Sequence, residues 1–322
     1  MAQCAPHLLW NRYSASKPAT VQNTSGITDI VDLHSRECLA LFANYWAQQV
    51  RLTAAERAKI CTNTVGQSNN PLRQAERTGR LTASNFYRIL RCIKPEGLVR
   101  DILYPRKKEN LGPSDPRLYG LRNEAVAVES YRTIMRLYDK DIEVYETGLH
   151  VHETYAFIAA SPDRLVRDGA ETGLLEVKCP ASKAGQTITE ACQDKTFCAK
   201  LVDGSPTLKR DHPYFFQIQG QLAVTGKTWC DFVVWTNRSE LHLSTFVERI
   251  YFDEDVWCEI LQALIYFYKA AIIPELLTRR IRRLGFLYTT GAGYVPYKKY
   301  AQGFYIAEPS EDPVTLIIRK LK

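Results

Sequence analysis

The segment Leu174-Leu175-Glu176-Val177-Lys178-Cys179-Pro180 alternates apolar and charged side chains. Successive side chains of a strand point to opposite faces. Leu175, Val177 and Cys179 therefore share one face, the expected core face, and Glu176 and Lys178 share the other. Upstream, Asp163 follows Ser161-Pro162 at the end of an apolar strand. A return strand through a turn at Gly169 would carry Asp163 beside Glu176. Two carboxylates from neighbouring strands suit Mg²⁺, which takes one or two carboxylates and keeps several waters. Lys178, charged beside carboxylates, could orient a water and neutralise charge developing at phosphorus, while a divalent cation would acidify that water. A lone Glu-x-Lys is more often a solvated pair on an exposed strand, so its company decides.

Glu124 lies on a helix opening at Pro116, in an apolar stripe read as Leu121, Ala125, Val128 and Met135. A carboxylate turned toward a core is costly unless it meets a cation, and the alternative is a side chain snorkelling at the stripe's edge. Glu129, by contrast, has Arg132 within reach on the surface. Gln217 and Gln221 stand one helical turn apart and face one way, whereas Gln219 points elsewhere. The run Arg77-Thr78-Gly79-Arg80-Leu81-Thr82-Ala83-Ser84 joins arginines to a helix start, where free N–H groups attract anions. A plain capped helix with solvated arginines would explain that run as well.

These residues need elements to hold them. A helix is expected from about Asp29 to Val50. Thr53 and Glu56 form a capping box for a second helix to about Ile60, and Thr62–Pro71 reads as a loop. A short helix follows Thr82, then a basic loop at Pro105–Pro116 and a long helix from Pro116 to Tyr138. Extended segments run over Ile142–Val151, Tyr155–Ala160 and Gly173–Cys179. Residues 180–210 are ambiguous. Asp211 and Pro213 open a helix closed by Gly226, Trp229–Thr236 and Leu241–Ile250 read as a hairpin, and Asp253 caps a final helix to about Ala271. This order implies an α/β or α+β core, a mixed central sheet flanked by helices.

The 322 residues are 45 % hydrophobic, enough to fill a core, and the net charge of +7 suits a polyanionic partner without requiring one. Nine cysteines are scattered without CxxC pairs, which argues against a zinc site and for a reducing interior. No apolar run reaches the roughly 18 residues of a membrane span. With no signal peptide recognised, a soluble, intracellular and nuclear protein with no membrane association is expected.

Arg77–Ser84, Gly120–Glu124, Ser161-Pro162-Asp163, Leu175–Pro180 and Gln217-Ile218-Gln219 occur in the order found in YqaJ-type viral recombinases. That family, grouped with phage lambda exonuclease in the PD-(D/E)xK superfamily, is what this chain resembles, over roughly residues 62–277 and closest to an animal branch carried by mobile or virus-derived genes. The resemblance implies a restriction-endonuclease-like core and a metal-dependent 5′-to-3′ exonuclease on linear double-stranded DNA, using Mg²⁺ or Mn²⁺ and acting in recombination or repair. By residue, Asp163, Glu176 and the Val177 backbone carbonyl resemble the metal ligands. Lys178 resembles the water-orienting lysine. Glu124 matches a helix carboxylate near the metal, held directly or through water, and Gln217 a glutamine beside it. Arg77, Ser84 and Ser161 match 5′-phosphate-binding positions, with Lys183 a stand-in for an arginine of the phage enzyme. The chain departs from the pattern at Arg73, usually Trp, and at Arg164, which replaces a turn glycine.

Three blocks follow: residues 1–61 as an N-terminal helical extension with a poorly ordered lead-in over 1–26, 62–277 as the nuclease domain, and 278–322 as a basic, tyrosine-rich tail. Arg279–Arg283 reads as a solvated basic helix end. A single-strand annealing protein and a homo-oligomer are partners expected from the family. The alternative functions are an inactive DNA-binding module on the same fold and an endonuclease or nickase.

Overall fold

A computed structural model describes residues 33–48, 51–66, 70–105, 112, 115–288 and 294–302. The lead-in over residues 1–26 and most of the Pro105–Pro116 loop lie outside the described residues.

Helix starts follow capping chemistry. In α1 (Arg36–Ala47) the Ser35 hydroxyl accepts the Cys38 N–H. In α2 (Ala54–Asn63) the capping box of Thr53 and Glu56 forms as expected. The loop after it ends at α3 (Pro71–Arg77), capped by Asn70, a helix too short to show periodicity. Then come β1 (Leu81–Thr82), α4 (Phe86–Leu90), α5 (Pro95–Leu103) and α6 (Pro116–Leu137). The extended region divides into β2 (Ile142–Tyr145), β3 (His150–Val151), β4 (Ile158–Ala160), β5 (Arg164–Asp168) and β6 (Glu171–Lys178). The ambiguous 180–210 stretch resolves into α7 (Ile188–Cys192) and a hairpin of β7 (Ala199–Val202) and β8 (Ser205–Leu208).

α8 (Pro213–Thr225) is capped by His212 rather than Asp211 and closed by Gly226 in the left-handed conformation. β9 (Trp229–Trp235) pairs with β10 (Thr245–Tyr251), but Leu241–Ser244 forms one helical turn, α9, so the second strand starts later than expected. α10 (Glu254–Phe267), capped by Asp253, does not stop near Ala271. It passes through a π-helical turn at Tyr268–Ile272 into α11 (Ile273–Thr278), followed by α12 (Arg280–Leu284) and α13 (Tyr297–Gln302).

Five strands form the main sheet in the order β10-β9-β6-β5-β2. β6 and β9 are parallel, and the other pairs are antiparallel. β1, β4 and β3 make a small second sheet. Both faces of the main sheet are covered. Leu175, Val177 and Cys179 pack with Val128 and Tyr131 of α6, whereas Leu174, Phe232 and Val234 pack with Ile218 and Leu222 of α8. The expectation that only one face of β6 meets the core is therefore corrected. A strand at the centre of a sheet with helices on both sides is buried twice, and Glu176 is only 2 % exposed. α8 presses so close to α4 that a Cβ on Gly220 would lie 2.3 Å from the Phe86 ring.

The buried line of α6 also needs correction. Leu121 and Ala125 are exposed, and Ala127, Val128, Tyr131 and Met135 are buried. Glu124 continues that line by one turn and is half-buried.

Two expectations about the C-terminal third change. Helical residues Glu254–Thr278 form a 25-residue run that by length and composition could cross a bilayer, although 56 % of its most apolar window is buried within the protein. Ile260, Leu264, Phe267 and Ile272 pack in the largest core cluster, which accounts for the composition. Nor is Arg279–Arg283 a uniformly solvated helix end. Arg279 takes a left-handed conformation, which turns α12 inward, leaving Arg280 and Ile281 each 1 % exposed. The Glu275 carboxylate accepts the Ile281 and Arg282 N–H groups and the Tyr104 hydroxyl.

Candidate active site

The β5–β6 hairpin creates the centre. Its turn uses Gly169 with φ of +61°, a conformation glycine adopts without penalty. The pairing of Arg164 with Leu175, continued by one residue, sets Asp163 across from Glu176 and on the same face. Asp163 Oδ2 accepts the Val177 N–H at 2.8 Å. Glu176 accepts from Gln217 Nε2 at 2.5 Å, from Gln221 Nε2 at 2.7 Å and from Lys178 Nζ. Both amides come from one side of α8, as their spacing predicts, while Gln219 turns to the Tyr251 carbonyl and the Asp253 N–H. The Lys178 ammonium also lies 4.8 Å from the centroid of the Tyr214 ring, a cation–π distance.

Removal from water and the adjoining Glu176 and Glu124 carboxylates push the Asp163 pKa well above the usual carboxylate range, against the pull of Lys178 and the Val177 N–H. Burial opposes charge on Lys178, but Glu176, Asp163 and Tyr214 outweigh it and raise its pKa. Lys178 is held charged by these neighbours, and as a cation it can orient a nucleophile or neutralise developing charge.

Glu124 faces this centre from α6, where Arg164 Nη1 donates to its Oε1 at 2.9 Å. The same nitrogen donates to the Asp163 carbonyl at 2.6 Å. Arg164 is not among the positive-φ residues, so the chain has no backbone need for the glycine it replaces. From α3, Arg73 is near enough for Asp163, Glu124 and Glu176 to support its charge against burial, and its buried Nε has no hydrogen-bond partner among the described residues.

The phosphate-binding candidates gather around one guanidinium. Arg77 donates to Ser161 Oγ at 3.1 Å, to Thr82 Oγ1 at 3.2 Å and to Ser84 Oγ at 3.4 Å. Burial, then Arg73, lower the Arg77 pKa to about 10, with Glu176 opposing, so it stays charged at neutral pH. Lys183 lies apart in character: its Nζ donates to Asp194 at 2.6 Å. Sequence reasoning singled out Gln217 over Gln221, although the i+4 spacing pointed to both. Arg73 and Arg164 showed only as departures from a pattern, and no local signal assigned them a role.

Among the described residues no group of three or more His, Cys, Asp or Glu side chains is close enough to hold a metal ion. Asp163 and Glu176 nonetheless supply two hard oxygen donors, enough for a Mg²⁺-like ion that retains several waters. Burial first, and then the neighbouring carboxylates, raise the Asp163 pKa, and a divalent cation at these oxygens would favour the charged form. The residues fit such an ion.

The class defined here is a mixed α/β protein whose central hairpin sets Pro162-Asp163 against Glu176-Val177-Lys178. Residues 74–228 match the family model of the YqaJ-like viral recombinase domain. The chain is 34 % identical over 113 residues to an uncharacterised protein of Acanthamoeba polyphaga mimivirus; the match covers 33 % of this chain but 18 % of that protein's length. Among solved structures, the alkaline exonuclease of Laribacter hongkongensis is 26 % identical, covering 65 % of this chain and 97 % of that one, with a TM-score of 0.46. The shutoff and exonuclease protein of Kaposi's sarcoma-associated herpesvirus is 14 % identical, covering 73 % and 76 %, with a TM-score of 0.47.

Proposed function

We propose that this protein is a DNA exonuclease that hydrolyses phosphodiester bonds of linear duplex DNA from 5′ ends, supported by Mg²⁺ or Mn²⁺. The observation that carries the reading is Asp163 placed opposite Glu176, with Lys178 charged beside both. Asp163, Glu176 and the Val177 carbonyl would hold the cation, with Glu124 a further donor through water. A cation there supplies a lowered water pKa and a polarised phosphate.

The chain's own residues do the rest. Gln217 and Gln221 fix both oxygens of Glu176, so that carboxylate cannot rotate away. Lys178 orients the attacking water by hydrogen bonding and, as a permanent cation, offsets charge building on the phosphorus-bound oxygens. The water forms a new P–O bond as the P–O3′ bond breaks in line with it; its proton passes to solvent, the departing 3′ oxygen takes one from solvent, and the product keeps the 5′-phosphate. Arg77 with Ser84 and Ser161 forms a cationic cradle for a terminal 5′-phosphate. Arg77's hydrogen bonds keep it extended toward that position before DNA arrives. The Lys183–Asp194 pair gives Lys183 at most a secondary share.

A second reading is a nucleic-acid-binding module without turnover, and it draws on the Arg164–Glu124 pair, which occupies a carboxylate of the centre. Degradation of linear duplex labelled at its 5′ or 3′ end, in Mg²⁺, Mn²⁺ or EDTA beside a closed circle, separates the readings. Cation-dependent loss from 5′ ends with the circle intact supports the exonuclease. Cutting of the circle points to an endonuclease. Salt-sensitive binding without any product leaves the binding module.

A further inference from the structure

The acidic centre brings its own counter-ions. Lys178 alone would leave Glu124, Asp163 and Glu176 with an excess of negative charge. Two arginines from outside the strand motif answer it: Arg164, at the first position of β5, and Arg73, on the first turn of α3. Arg164 sits one residue beyond Asp163 and projects to the opposite face of the sheet, where α6 passes. There its guanidinium clamps Glu124 while also bonding the Asp163 carbonyl. The clamped pair is largely shielded, with side-chain exposures of 16 % for Arg164 and 22 % for Glu124. Since ordinary φ at this position tolerates any residue, the backbone does not require arginine here. Its partner does.

We infer that Arg164 is a tethered counter-ion that holds Glu124 when no divalent cation is bound, so that cation binding must break or loosen the Arg164–Glu124 pair. The inference rests on the reading above that Asp163 and Glu176 form a cation site. The physical reason is competition. A guanidinium beside a carboxylate satisfies the same charge that an entering cation would satisfy, and it repels that cation through a partly desolvated medium. Arg73 adds to the repulsion, but it does not tether Glu124 as the direct Arg164–Glu124 bond does, so the larger share is assigned to Arg164. A site built this way stays assembled without metal, and it fills only at higher cation concentration than the bare carboxylates would need.

The test is Mn²⁺ binding to the full chain without DNA, by calorimetry or by electron paramagnetic resonance of free Mn²⁺. Arg164→Gln should lower the Mn²⁺ Kd by about tenfold, since one charged neighbour commonly moves such an equilibrium by a factor of ten or more. Arg73→Gln should lower it less. Arg88→Gln, remote from the centre and paired with Asp101, should leave it unchanged. Glu124→Gln, which dissolves the pair from its other side and leaves the guanidinium unmatched, should raise the Kd, and Arg164→Gln should gain less in that background. It is also the informative variant if Arg164→Gln fails to fold. An unchanged or weaker Kd in Arg164→Gln, or an unaltered Kd in Glu124→Gln, overturns the counter-ion role and leaves the cation site standing. If the wild type binds no Mn²⁺ at all, both the cation site and the counter-ion role fall.

Discussion

Two acidic clusters occupy opposite faces of the same sheet and have opposite electrostatics. On the α6 face, Asp231 accepts from Arg249 Nε at 2.8 Å and from Tyr131 at 2.6 Å. Arg249 goes on to Asp168, which Lys140 also reaches, both at 3.0 Å. The Arg249 guanidinium stacks 3.7 Å from the Trp229 ring centroid. Lys140 and Arg249 outweigh desolvation and hold the Asp168 pKa below the ordinary carboxylate range. On the α8 face, burial first, then Glu176 and Glu124 (which reaches in from α6), raise the Asp163 pKa. Nearly every oxygen of the first cluster has a donor. The second sets three carboxylates among Lys178, Arg164 and Arg73 in a buried setting, and carboxylates perturbed in that way mark candidate functional sites. One residue type on one hairpin thus serves architecture at Asp168 and stands in the candidate site at Asp163.

That comparison can be broken by substitution. The largest effect is expected at the α8-face centre: Asp163→Asn or Lys178→Met should cut hydrolysis of duplex DNA by on the order of 10⁴-fold. Melting in EDTA should stay level or rise in Asp163→Asn, and fall in Lys178→Met, which strands the buried Glu176. Wild-type turnover in either variant would remove the site assignment. Next, Asp231→Ala strands Arg249 and the Tyr131 hydroxyl in a buried setting. Its unfolding free energy should drop by about 3–5 kcal/mol in denaturant titrations, without Asp231 touching substrate. If it melts like Asp163→Asn, the two clusters do not differ as described.

Smaller effects sharpen the picture. Gln221→Leu removes a donor from a buried carboxylate and should cost about 1.5–3 kcal/mol at neutral pH, read from the same titrations. Arg77→Gln should weaken duplex binding at all sequences and reduce the salt-dependence slope by about one; an unaltered slope would take Arg77 off the phosphate path. Smallest is the acid limb. Asp168 has a depressed folded pKa, so its stabilisation is complete above the unfolded value near 3.9 and is lost as pH falls through the folded one. Since Asp168 is partly exposed, the loss should stay within about 1 kcal/mol. Asp168→Asn should flatten that limb, and a stability curve identical to wild type would show the pair to be inert.

Much of the centre was legible because it is written in local spacing. Period-two alternation put Glu176 and Lys178 on one face, a glycine turn returned Asp163 to Glu176, and i, i+4 spacing aimed Gln217 and Gln221 together. Capping chemistry located the starts of α2 and α10. What spacing could not carry is which faces are covered. β6 looked half-exposed because its neighbours, β5 and β9, and the helices beyond are not encoded in its own pattern. The stripe on α6 was misplaced for the same reason: Leu121 and Ala125 are apolar, yet no described residue packs over them to bury them.

The sequence by itself therefore determined that Asp163, Glu176 and Lys178 meet on one hairpin, that Gln217 and Gln221 share one helix face, and the mixed α/β order of elements, since each depends on neighbours within a few residues or one hairpin. That those amides reach Glu176, 41 and 45 positions away, was decided by the tertiary structure. Only the tertiary structure decided the charge balance. Arg164 and Glu124 are 40 positions apart, and Arg77 and Ser161 are 84 apart. Ion pairs act through space, over a few ångströms, and chain separation leaves no periodic trace of them.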